Sequence, residues 1–330
     1  MRRYLARKLL IYIVTFWVAA TIDWLLPRMV PGNPVQLLLS KISLQPGTYN
    51  ATYKLYMQTF GFNRPWWKQY LNFWDALVHG NLGISIYQFP KPVTHVIADY
   101  VLFTMALLIP AILLAYYAGN HVGAMAARRK ALDNSVLPIG YILTATAYPW
   151  LALLLAFLLA AGGIGHFFPV SGGFSYGLIP TWSWTFVWSL ITHWVLPFLT
   201  LFLVAFGGWA IGMRNLIIYE LESDYSHYLE ALGAPSRLVR KYAYRNARLP
   251  QLTGLALQLG VLIGGAVVTE VTFGYPGLGY LILQAVGNED YFLLQGIFLF
   301  IIIGVLIANF LIDIIYVLVD PRTRVGISGE

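Results

Sequence analysis

Long apolar runs alternate with shorter polar connections along the chain, and six runs reach the roughly 20 residues that a helix needs to cross a bilayer. They cover 9–27, 100–125, 137–162, 193–218, 252–272 and 295–319. Between the first two lies a segment, 31–98, that holds Pro31, Pro34, Pro46, Pro65, Pro90 and Pro92. It is too polar to span and too aromatic for a disordered linker, so it reads as a small ordered cap with short helices, 66–78 among them. The pattern predicts an all-α integral membrane protein with six transmembrane helices. Residues 1–30 form the amino terminus and first span, 31–98 an extracytoplasmic segment, and 99–324 a transmembrane core with a cytoplasmic loop at about 219–250. Residues 325–330 form a cytoplasmic tail.

Composition agrees with the pattern. Of 330 residues, 58% are hydrophobic and 11% charged, against about 25% charged in soluble domains. So few charges cannot cover a globular surface. The net charge of +7 would suit nucleic acid if it were spread over a polar face, but its placement follows the membrane instead. With the amino terminus inside, the inner side holds Arg2, Arg3, Arg7, Lys8, Arg128, Arg129, Lys130, the six basic residues of 214–248, Arg322 and Arg324, fifteen of the twenty-one. The other six fall at or within the long outer segment, and the short outer loops 163–192 and 273–294 have no Lys or Arg. Both termini are thereby expected in the cytoplasm. The first twenty residues would also pass as a secretory signal, but the even topology and its charge asymmetry require a retained span. Asp23 sits oddly in that span; a partner on another helix or a frayed outer end would explain it.

One stretch breaks the apolar pattern. Five basic residues, Arg237, Arg240, Lys241, Arg245 and Arg248, arrive within twelve positions after Gly233 and Pro235. At 100° per residue they share one arc, with Leu238, Val239, Tyr242, Ala243 and Ala247 opposite. Ser236 is placed to cap this helix, and the arrangement predicts a short amphipathic helix lying flat under the membrane. Physical chemistry leaves two uses open, a rest on anionic headgroups and a dock for a cytoplasmic partner.

Glu230-Ala231-Leu232-Gly233-Ala234-Pro235-Ser236, followed by the basic stretch that ends in Arg245-Asn246-Ala247-Arg248-Leu249-Pro250, resembles the coupling loop of ABC-importer permeases, in its oligopeptide/dipeptide/nickel variant. Residues 28–34, 61–71, 80–85, 168–173, 264–279 and 312–324 are similar to further motifs of that family in the same order. Leu232 stands where the family more often has Lys. The resemblance implies a permease subunit in the plasma membrane of a prokaryote. It implies three kinds of partner besides membrane lipid, namely a second homologous permease, two ATP-binding cassette subunits and an extracytoplasmic solute-binding protein, and it implies no nucleic acid. It also implies that the coupling loop fits a cleft on an ATPase. Peptides are the cargo it suggests first, with oligosaccharides and nickel chelates as alternatives; Trp66, Trp67, Trp74, Trp182 and Trp184 could stack on sugars.

No lysine follows a glycine, so a phosphate-cradling Gly-x-x-x-x-Gly-Lys-Ser/Thr loop is absent from the sequence. The chain is expected to bind no cofactor itself, with ATP and Mg²⁺ on partner subunits. Gly173–Gly177 matches the Gly-x-Ser-x-Gly pattern of serine hydrolases, with His166 and His193 nearby, but lacks the strand-to-helix framing that the chemistry needs. None of the six histidines forms a metal-ligand pair, and cysteine is absent. Among intramembrane carboxylates, Glu270 is expected to line an outer gate or to hold the loop after it, with Gly264, Gly265, Tyr275 and Pro276 alongside. Asp313 is expected to pair with a cytoplasmic Arg. A proton-driven transporter using Asp23, Glu270 and Asp313 is the rival of another class; the inverted repeats of many such folds are not visible.

Overall fold

A computed structural model describes residues 2–29, 34–41, 48–59 and 61–319. Arg322, Arg324 and the tail 325–330 lie outside the described residues. Twelve helices follow in order: α1 (Arg2–Met29), α2 (Pro34–Lys41), α3 (Tyr49–Thr59), α4 (Trp66–Val78), α5 (Val93–Ala126), α6 (Lys130–Ala145), α7 (Tyr148–Leu159), α8 (Trp184–Leu221), α9 (Asp224–Ala231), α10 (Ser236–Thr272), α11 (Leu278–Gly287) and α12 (Tyr291–Val319). Among the described residues the only β pairing is an isolated bridge between Ile84 and Pro92. Five helices, α1, α5, α8, α10 and α12, are long and apolar enough to cross a membrane.

The sixth expected span is broken. Where the sequence predicts one helix over 137–162, α6 and α7 meet at an angle of 107°. Pro149 lies in the first turn of α7, and in an unbroken helix its ring would collide with the carbonyl of Ala145 while removing a backbone donor. Thr146 and Ala147 instead turn extended, with ψ of 124° and 142°. Hydropathy counts apolar residues and is blind to that collision.

A second difference lies in the basic stretch. It is no separate helix lying flat: Ser236–Thr272 is one helix of 37 residues with Pro250 inside it, about 55 Å long at 1.5 Å per residue. The basic part of α10 belongs to the same continuous helix as the fifth span. Ser236 does not cap it either; Pro235 is the N-cap, with φ −64° and ψ 140°, and no side chain caps the end.

The described residues divide into two compact units, one of 103–279 and 308–319, the other of 2–29, 34–41, 48–59, 61–102 and 280–307. In the first, α8 is the central element, packed on α6, α7 and α10. Its core runs from Leu107, Leu196, Leu201 and Phe273 through Trp209 and Leu262 to Met213, Ile217 and Ala247. Arg214 on α8 clasps Asp133 on α6 through two hydrogen bonds, of 2.8 and 2.6 Å. In the second unit, α4 lies on α1 through aromatic edges, Trp24 to Tyr70 at 5.1 Å and Phe16 to Trp74 at 6.2 Å. Tyr70 also shares a 2.8 Å hydroxyl contact with Thr21. Here Asp290 is fully buried: its carboxylate accepts from Ser85 Oγ at 2.5 Å, the Tyr87 N–H at 2.9 Å and the Leu293 N–H at 3.0 Å. It caps α12 and holds the 85–88 turn at once.

Candidate functional site

The loop after α8 is organised by one residue that its sequence pattern does not single out. The Glu220 carbonyl, left without an intrahelical partner near the end of α8, accepts the hydroxyls of Ser223 at 2.6 Å and Ser226 at 2.7 Å. Its carboxylate oxygen Oε2 accepts the Tyr225 hydroxyl at 2.7 Å and the Asn246 amide at 3.1 Å. The ends of α8, α9 and the basic part of α10 are thus tied at one point. Burial and the neighbouring carboxylate raise the Tyr225 phenol above its ordinary value, which keeps it a donor.

Between α9 and α10 the chain reverses on Gly233, whose φ is +76°. The Gly233 N–H donates to the Glu230 carbonyl at 2.9 Å and the Ala234 N–H to the Leu229 carbonyl at 3.0 Å, the Schellman pattern that closes a helix with a left-handed residue. A side chain at 233 would be strained there. Glu230, Ala231, Leu232, Gly233, Pro235 and Ser236 are exposed, and so are Arg237, Arg240, Lys241, Arg245 and Arg248; Ala234 and Asn246 are half-buried. The face opposite the charges is Val239, Ala243 and Ala247, continued by Gln251, all buried. Leu238 and Tyr242, expected on that face, are exposed. With Tyr228 and Leu232 they add apolar surface beside the charges.

At the far end of α10, Glu270 is fully buried. It accepts the Thr104 hydroxyl at 2.7 Å through Oε1 and the Gly279 N–H at 2.6 Å through Oε2, while the Leu278 N–H donates to Thr104 Oγ1 at 2.7 Å. Of its two expected uses, the carboxylate is in place for holding the loop. Gly277 is needed for that approach, since a Cβ on it would stand 2.2 Å from Glu270 Cδ. Tyr275 and Pro276 are packed rather than free. Tyr275 is 3% exposed, edge-on to Phe103 at 5.7 Å, and its phenol is raised by burial and then by the Glu270 charge. Pro276 covers Gly173 so closely that a Cβ there would lie 2.5 Å away. Gly265 takes the Tyr148 ring, whereas Gly260 and Gly264 face open space. Asp313 is half-buried on α12, and a pairing with Arg322 or Arg324 falls outside the described residues.

The remaining candidates separate. Ser175 and Ser189 share a 3.0 Å hydroxyl contact; His193 Nδ1 meets the Ser189 carbonyl and His166 Nδ1 the Ala160 carbonyl. No Ser–His pair forms among the described residues. Asp23 is 3% exposed within a helix that continues to Met29, so the frayed end is ruled out, and neither carboxylate oxygen accepts a hydrogen bond among the described residues. Trp66, Trp67, Trp182 and Trp184 are exposed, while Trp74 is taken up in the α1–α4 aromatic packing.

Five long apolar helices and a bent pair define a multi-pass membrane protein with an exposed cationic junction on one of its longest helices. Residues 119–325 match the family of binding-protein-dependent transport system inner membrane components, and the chain belongs to that family, the permease components of ABC importers. It is 30% identical to the di/tripeptide transport system permease protein DppB of Pseudomonas aeruginosa (strain UCBPP-PA14), over 98% of this chain and 99% of that one. It is 28% identical to the dipeptide transport system permease protein DppB of Escherichia coli K12, with the same coverage. Identity to the oligopeptide transport system permease protein AppB of Bacillus subtilis is 27%, again over 98% and 99%.

Proposed function

We propose that the chain is the permease subunit of an ATP-driven importer of short peptides, forming half of the translocation path. The observation that carries the cargo is the end-to-end match with permeases named for dipeptides, tripeptides and oligopeptides. That match favours peptides over oligosaccharides or nickel chelates. A second homologous permease completes the path, an extracytoplasmic binding protein delivers cargo, and two ATP-binding cassette subunits dock below. ATP and Mg²⁺ stay on those subunits, and this chain has no ATPase site of its own. Both termini lie in the cytoplasm.

The coupling surface is α9 with the start of α10: Glu230 to Ser236, then Arg237, Arg240, Lys241, Arg245 and Asn246. Its support is the exposure of the cationic row and the way Glu220 and Gly233 fix α9 against α10. ATP-driven closure of the cassettes would push this junction, and α10 would carry the push toward the Glu270 loop. A proton-driven cycle through Glu270 is disfavoured by the way its two carboxylate oxygens are taken up by the Thr104 hydroxyl of α5 and the Gly279 N–H at the start of α11.

Purification from the native membrane tests the assembly. The wild type should bring down a second permease and a Walker-A ATPase, and the double variant Glu230→Lys, Gly233→Trp should lose the ATPase alone. Wild-type protein that comes out without partners, or a variant that keeps its ATPase, would overturn the coupling assignment. Uptake of radiolabelled dipeptide by the reconstituted importer with its binding protein and ATP tests the cargo.

A further inference from the structure

Within the second unit, a cavity of about 190 Å³ opens between the end of α1, α4, the turn around Asn81 and the first turns of α12. It is smaller than the roughly 300–1,000 Å³ of sites for drug-sized ligands. Its polar lining groups are one guanidinium, Arg28, and four carboxamides, Gln69, Asn72, Asn81 and Gln295, beside the Phe292 ring. No acidic residue is among the described residues that line it, and the buried Asp23 carboxylate on α1 acts on the Arg28 charge from outside the lining.

The hydrogen bonds already made leave donors over. Arg28 Nη1 donates to the Trp24 carbonyl at 2.7 Å, which closes α1, and lies 3.4 Å from Gln295 Oε1. Arg28 Nε lies 3.5 Å from Gln69 Oε1, and the guanidinium rests 4.2 Å over the Trp24 ring. Nη2 finds no acceptor among the described residues, and Gln295, with its oxygen turned to Arg28, keeps its own NH₂ uncommitted there. Asn81 likewise spends its oxygen, on the Gly83 N–H at 2.9 Å. Helix capping by Arg28 needs only Nη1. What remains is a charged donor and two amide donors facing one small cavity, which calls for an anionic ligand with planar acceptors.

We infer that this cavity is a subsite for the C-terminal carboxylate of a short peptide, with Arg28 Nη2 and the Gln295 amide donating to its oxygens and Asn72 and Asn81 at the adjoining peptide group. The inference rests on the peptide-importer reading. The carboxylate suits the Arg28 fork, which pairs planar two-oxygen groups, and one terminal residue suits the volume.

The test uses the whole importer without its binding protein, in phosphatidylcholine nanodiscs, titrated calorimetrically with a dipeptide, its C-terminal amide and inorganic phosphate. The dipeptide should bind at least about tenfold tighter than the amide, the size of one charged hydrogen bond. Arg28→Gln should erase that discrimination, and Asn72→Asp, which adds a negative charge at an exposed position, should weaken the acid and spare the amide. If Arg28→Gln does not assemble, Asn72→Asp decides. Equal binding of acid and amide, no dipeptide binding at millimolar concentration, or unchanged discrimination in Asn72→Asp would each overturn the subsite. Displacement of the dipeptide by phosphate would overturn it too, making the cavity a general oxyanion site open to lipid headgroups. Dipeptide uptake by the full importer separates the two failures: uptake without acid-over-amide discrimination sinks only the subsite, and no peptide uptake sinks the cargo reading.

Discussion

Asn246 and Glu220 stand 26 residues apart and meet at 3.1 Å, where the Tyr225 hydroxyl joins them. The meeting fixes the angle between α9 and the basic part of α10, so the junction can act as one body. Glu220→Ala should loosen it, at a cost of about 1–3 kcal/mol for hydrogen bonds to a charged group. The expected outcome is ATP hydrolysis that continues with little transport, read by measuring both rates on the same proteoliposomes. A double-mutant cycle with Asn246→Ala should return a coupling of about 1 kcal/mol.

The same junction has a defined pH range. The Tyr225 phenol, ordinarily at 10.0, is raised in the folded protein. A raised value means that the stability it contributes is fully present below pH 10 and is lost as pH climbs through the higher folded value. Thermal unfolding followed across neutral to alkaline pH should show an alkaline loss that is reduced in Tyr225→Phe.

How much of this was legible beforehand depends on the kind of signal. The apolar runs and the Trp66–Val78 helix follow from periodicity and composition, which local sequence carries. The basic arc at 237–248 was legible for the same reason, and Val239, Ala243 and Ala247 turn inward as expected. Glu220 was not, because its meaning depends on Asn246 arriving from 26 residues away, and no local pattern encodes a meeting of helices. The bend at Thr146 was written in Pro149 but masked by hydropathy. The continuity of α10 through Pro250 ran against the usual reading of proline as a break.

Glu270 offers a second contrast between look-alike substitutions. Glu270→Gln keeps the shape but turns one acceptor into a donor that faces either the Thr104 hydroxyl or the Gly279 N–H. One buried donor then has no partner, at about 1–3 kcal/mol. Thr104→Val strands the Leu278 N–H and removes the hydroxyl donor from Glu270 Oε1, and should cost a similar amount. Gly277→Ala should be worse than either, because its Cβ would stand 2.2 Å from Glu270 Cδ and the loop must move. Thermal shift of the detergent-solubilised importer ranks the three, and a Gly277→Ala protein as stable as wild type would show that the loop is not held by this carboxylate.

Arg214 and Asp133 make a milder prediction. Their side chains are 22% and 21% exposed, so water still screens the pair, and an exposed-type pair contributes about 0–1 kcal/mol. Asp133→Ala should lower stability by no more than about 1 kcal/mol, and raising the salt should shrink the difference. A larger loss that ignores salt would mean that Asp133 organises the α6–α8 contact by packing.

The length and continuity of α10 suit it to act as a lever. One uninterrupted helix holds Asn246 at the junction and Glu270 at the loop, 24 residues apart in sequence and so about 36 Å along the axis. If the junction's motion reaches the loop through that helix, softening the stretch between should uncouple the two ends without touching either. Leu257 and Val261 are exposed positions in that stretch, so changing them leaves this chain's core intact. Each replacement by Gly costs about 1 kcal/mol of helix propensity, enough to let the helix flex while the core stripe through Leu262 and Ala266 stays packed. Leu257→Gly with Val261→Gly should therefore keep ATPase binding and hydrolysis but lose transport, whereas alanine at both positions, which preserves helicity, should keep all three. Loss of transport in the alanine pair as well would point to the side chains themselves, at a surface between α10 and another chain, and would remove the argument for a lever.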